Sequence, residues 1–69
     1  MSKEITASEI GKRLRTLRAS KRQADVAEAI GVSMMAISQY EKGLRIPQDK
    51  IKVRLANYYN KSVESIFYT

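Results

Sequence analysis

The sequence of 69 residues has no cysteine, no histidine and no tryptophan, and only one proline and one phenylalanine. Without cysteine there is no disulfide staple, and with histidine also missing there is no ordinary zinc site. The missing imidazole removes the side chain that most often moves protons near neutral pH, so neither catalysis nor a metal nor a cofactor is expected. No apolar run approaches the ~20 residues that cross a bilayer, and Met1-Ser2-Lys3-Glu4 is not followed by the apolar core of a signal peptide. A soluble, cytoplasmic protein without a membrane partner is therefore expected. Acidic residues are the scarce charge, seven Asp and Glu against thirteen Lys and Arg, for a formal net charge of +6. Such an excess suits a polyanion, although charge alone describes a solvated surface equally well. A chain of this length is read as one domain over 1–69, with 1–5 as an arm that has little to bury.

What is present is organised around Gln23 to Gly43. Val26, Ala27 and Ile30 recur at helical spacing and Gly31 then interrupts, as a left-handed C-cap requires. Ser33 follows as an N-cap, with Val32 and Ile37 placed as a hydrophobic staple, so a second helix starts at Met34. Three residues between two helices force a steep crossing, the geometry of a helix-turn-helix.

Upstream, Thr6-Ala7-Ser8-Glu9 is a capping box with Ile5 and Ile10 as its staple, so the first helix runs from Ala7 to near Arg18. Ile10, Leu14 and Leu17 form its apolar stripe, and Lys12, Arg13 and Arg15 lie away from it as a basic back. Ser20 to Gln23 is a second S-x-x-Q box, which predicts a helix from near Lys21 to Ile30. Downstream, helices are expected over Met34 to Lys42 and over Gln48 to Tyr59, the latter with Ile51, Leu55, Tyr58 and Tyr59 inward and Asn60 as terminator. A last short helix is capped by Ser62 and anchored by Val63, Ile66 and Phe67. Five helices without a strand signal predict an all-α fold.

Gln23, Ala27, Gly31, Val32, Ser33, Ile37, Glu41 and Gly43 stand in the order and spacing of the lambda-repressor-like, Cro-type (XRE) helix-turn-helix family. The resemblance continues through Pro47, Leu55, Ala56, Ser62 and Ile66-Phe67. It implies a compact five-helix DNA-binding domain whose third helix enters the major groove of double-stranded DNA. By match to that motif, Met34, Met35, Ser38 and Gln39 read base edges. Gln39 suits an adenine, while Met34 and Met35 lack hydrogen-bonding groups and imply apolar contact with thymine methyls. Met34 lies about 60° from Ile37, between burial and exposure, whereas Met35 lies opposite Ile37. Phosphate contacts are expected from Gln23, Ser33, Lys42 and Arg45, and from Lys21 and Arg22, whose place at a positive helix N-terminus is otherwise that of two solvated charges. The resemblance also implies an ion pair between Arg18 and Glu41. The departure from the family is a linker two residues shorter between Arg18 and Gln23, which demands a tighter turn.

One recognition helix reads few base pairs, so a homodimer on a palindromic operator is expected, with Tyr58 and Tyr68 as aromatic side chains left over for the interface. By family, the expected function is transcriptional repression. The rival reading is a protein-interaction module, an antitoxin or cofactor-type partner, in which the Met pair is a docking patch. RNA binding fits less well, since aromatics are not interleaved with the basic residues.

Overall fold

The computed structural model describes residues 5–68, which form α1 (Ala7–Arg18), α2 (Gln23–Ile30), α3 (Met34–Glu41), α4 (Asp49–Tyr58) and α5 (Val63–Phe67). The arm expected over 1–5 lies outside the described residues apart from Ile5. That residue packs against the core, and its N–H donates to the Phe67 carbonyl at 3.3 Å. An apolar side chain beside the Ile10 stripe is better placed there than in water.

Side-chain caps mark three of the five helix starts. Thr6 accepts from the Glu9 amide at 3.1 Å, Ser33 from Ala36 at 3.0 Å and Ser62 from Ser65 at 3.1 Å. Each satisfies one of the amides that a first helical turn leaves without a carbonyl. Gly31 ends α2 at φ 85°, where a Cβ would be strained. Asn60 takes φ 56° beyond α4, with Lys61 N–H returning to the Ala56 carbonyl at 2.9 Å. Gln48, Tyr59 and Lys42 occupy cap positions rather than helical ones, one residue inside the expected bounds.

The start of α2 is a correction. The helix begins at Gln23, not near Lys21, and its N-cap Arg22 makes no capping bond through its side chain. The expected Ser20 to Gln23 box is pre-empted by tertiary contacts. The Arg18 guanidinium takes the Lys21 carbonyl at 2.7 Å, and the Gln23 amide is turned toward Glu41 at 3.0 Å. Lys21 N–H closes a four-residue turn onto the Arg18 carbonyl at 2.9 Å. Its second residue, Ala19, sits at φ 51°, ψ −118°. Those angles are those of the glycine position of a type II′ turn, which is how the short linker reverses the chain.

The core is one cluster drawn from every helix, with Ile10, Val26, Leu55, Ile66 and Phe67 the largest wholly enclosed side chains. Helix α3 packs on both α1 and α2, and α4 and α5 close the far side. Gly11 permits the closest approach: a Cβ there would meet the Tyr40 carbonyl at 2.8 Å and the Glu41 carbonyl closer still. Lys52 is 5% exposed, its ammonium 5.6 Å from the Phe67 ring centre and 5.1 Å from that of Tyr68, positions favourable to a cation over a π face. Arg13 likewise leaves the expected basic back. Its Nη1 donates to the Ser65 and Tyr68 carbonyls at 3.0 and 3.2 Å, because the end of α5 offers unpaired acceptors within reach.

Candidate nucleic-acid interface

Helix α3 has two unlike faces. Ala36, Ile37, Tyr40 and Glu41 are buried, whereas Met34 is 56% and Met35 69% exposed. Ser38 and Gln39 are half-buried and Ser33 is exposed. The opening at Met34 is thus resolved toward solvent. The Ser33 hydroxyl, expected at a phosphate, is engaged as the α3 cap.

The inner face is fastened by charge. Arg18 donates from Nε to Glu41 Oε2 at 2.6 Å and from Nη2 to Oε1 at 2.9 Å, a two-pronged pair whose carboxylate is 5% exposed. Those bonds, first among the causes, raise the Arg18 pKa above its already high ordinary value, so the guanidinium is permanently charged. Gln23 Nε2 donates to the same Oε1 at 3.0 Å, which joins the start of α2 to the end of α3. An amide nitrogen carries two hydrogens, so one remains for an acceptor outside the protein.

The basic residues around this face are not equivalent. Lys42 is exposed at the α3 C-cap, and Arg45 is exposed with its guanidinium carbon 5.7 Å from the Tyr40 ring centre. Arg22 is engaged by Asp25 at 3.0 and 3.1 Å, and the Asp25 carboxyl is held below its usual range chiefly by that hydrogen bond. The i, i+3 spacing of Arg22 and Asp25 was the available signal for this pair. Lys21 places its ammonium 4.7 Å from the Tyr58 ring centre, because the tight turn carries it toward the end of α4. Between Lys42 and Arg45, Leu44 is 73% exposed, an apolar side chain on this edge that periodicity did not single out because it lies in a loop.

Tyr58 and Tyr68 are not left over. Tyr58 meets Tyr59 edge to face with ring centres 5.0 Å apart, and Tyr68 Oη accepts from Lys52 at 3.4 Å. Both are half-buried against the core with part of each ring outside it.

Comparison with known proteins agrees with this geometry. The helix-turn-helix family model matches residues 12–66. The P22 c2 repressor, solved in complex with synthetic operator 9T, is 30% identical with a TM-score of 0.79, over 83% of this chain and 89% of that one. The restriction-modification controller protein C.AhdI from Aeromonas hydrophila is 25% identical with a TM-score of 0.80, over 88% and 96%. The SOS-response transcriptional repressor LexA from Eubacterium rectale is 26% identical with a TM-score of 0.83, over 96% and 72%. No curated protein matches the chain. With the matched region reaching into all five helices, a clamped inner face and an exposed outer one on the second helix of the motif, the chain belongs to the Cro-type (XRE) helix-turn-helix family of DNA-binding transcriptional regulators, which are not enzymes.

Proposed function

We propose that the chain binds a specific double-stranded DNA site as a homodimer and represses transcription by occupying a palindromic operator. The observation that carries this reading is the two-faced α3. Its inner face is held by a core and a two-pronged ion pair, while Met34 and Met35 stand exposed at its N-terminal half. A helix fixed in this way presents its exposed face to the major groove without ordering its backbone anew on binding. Met34 and Met35 contact thymine methyls, Gln39 makes the paired hydrogen bonds of an adenine contact, and Ser38 lies beside it. Gln23, Ser33, Lys42 and Arg45 meet phosphates. Lys21 and Arg22 reach the backbone only by leaving Tyr58 and Asp25, so their share is smaller. The twofold contact uses the exposed parts of Tyr58 and Tyr68.

Selection of bound duplexes from a random pool is the test. A palindromic consensus with half-sites about 10 base pairs apart is the expected result. On that site log K should fall with log salt by about 0.9 for each phosphate neutralised. Gln39→Ala should relax one base position at a cost of about 1–3 kcal/mol, while Lys42→Ala weakens all sequences alike. Met34, Met35 and Leu44, three of the exposed apolar side chains, favour a second reading, a protein docking patch. No enriched sequence together with salt-insensitive capture of a protein partner would establish that reading instead.

A further inference from the structure

The side of the molecule formed by α1 and α5 carries a cleft of about 340 Å³ to which neither α2 nor α3 contributes. Half-buried Leu17 supplies apolar surface to it, the enclosed Ile66 borders it with almost none, and the exposed Lys12 and Lys61 also line it. The carboxylate of Glu9, also at the cleft, lies 3.7 Å from Arg13 and is balanced by it. Lys12 and Lys61 have no ion pair or side-chain hydrogen bond among the described residues. The cleft therefore joins an apolar floor to two uncompensated positive charges.

From this arrangement we propose that the cleft binds a small amphiphilic carboxylate, its apolar tail over Leu17 and its headgroup between Lys12 and Lys61. The volume is near the lower end of the ~300–1,000 Å³ found for small-ligand pockets. A protein partner would instead need a contact surface of about 800 Å² per side. A carboxylate is preferred to a phosphate because the arginine fork that suits phosphate is engaged here: Arg13 Nη1 already serves Ser65 and Tyr68. Lysine ammoniums act as point charges and accept a monoanion without bidentate geometry. The duplex is not the occupant, because a concave apolar floor offers nothing to a phosphate backbone.

The test is a titration of the ¹⁵N-labelled chain with octanoate, read from amide chemical shifts. Saturable shifts centred on Leu17, Lys61 and Ile66 are expected, with a dissociation constant of about a millimolar for so few apolar atoms. Acetate, which lacks the tail, should bind at least about tenfold more weakly. Octanol, which lacks the charge, and Lys12→Ala/Lys61→Ala should each lose about three- to tenfold. Both lysines are exposed, so the double variant should keep its helicity. Shifts that do not saturate, or that centre on Met34 and Met35, would overturn the proposal. So would an unchanged response in the double variant, tighter binding of octyl phosphate than of octanoate, or displacement of octanoate by a random-sequence duplex.

Discussion

Replacing Ala19 by glycine should stabilise the protein, although glycine ordinarily weakens a chain. Ala19 holds φ 51°, ψ −118°, a combination that brings an L-residue's Cβ against its own backbone. Residues held in such sparsely populated regions cost about 1–3 kcal/mol each. Glycine relieves that strain but adds about 0.5–1 kcal/mol of unfolded-state entropy, so the net gain is about 1 kcal/mol. No enclosed contact is lost, because Ala19 is exposed. For a domain of 60–100 residues this corresponds to a rise in Tm of about 4–8 °C. Thermal melts followed by circular dichroism, at matched concentration and salt, measure it. A chemically synthesised chain with D-alanine at the same position should gain more, since it prefers these angles without glycine's entropy. A fall in Tm for both variants would refute the type II′ geometry, and with it the account of how the shortened linker turns α1 into α2.

Three further outcomes follow from the packing. Glu41→Ala leaves the partly covered Arg18 guanidinium and the Gln23 amide without their shared acceptor and should cost about 3 kcal/mol, the low end for a broken buried pair because Arg18 keeps the Lys21 carbonyl; an unchanged denaturant midpoint would show the pair to be superficial. Gly11→Ala should destabilise by more than its helix propensity gains, since the new methyl meets the Tyr40 and Glu41 carbonyls, and a more stable variant would place α1 and α3 further apart than described. The Tyr59 phenol, pushed up to about 12 first by burial and next by the Glu41 carboxylate, stays protonated in the folded protein while the unfolded chain ionises near pH 10. Stability from this group is complete below pH 10 and is lost as pH rises toward 12. Tyr59→Phe should flatten that part of a stability-against-pH curve measured by denaturant titration.

Local chemistry made the helices readable from the sequence. A cap needs one hydroxyl three residues before an amide, a left-handed terminator needs Gly or Asn, and an apolar face needs its period, all within a few neighbouring residues. Thr6, Gly31, Ser33, Asn60 and Ser62 therefore act in the structure as their spacing indicates. The exposure of Met35 and the burial of Glu41 on opposite faces of α3 are legible for the same reason, because Ile37 marks the inward side. What lay beyond reach depends on groups far apart in the chain. Ser20 and Gln23 match a capping box locally, yet Gln23 turns to Glu41, eighteen residues away, and α2 starts two residues later. Arg13 looked like part of a solvated back until α5 brought two carbonyls to it across more than fifty residues. Lys52, a charge within an otherwise amphipathic pattern, is enclosed because Phe67 and Tyr68 supply ring faces that replace water. Tyr58 and Tyr68 are surplus to the helical pattern of the sequence, and only the fold brings Lys21 and Lys52 to them. Periodicity assigns a side chain to a face of its own helix, but which partner meets that face is settled when the helices pack, because long polar side chains reach whatever acceptor or ring the fold brings nearest.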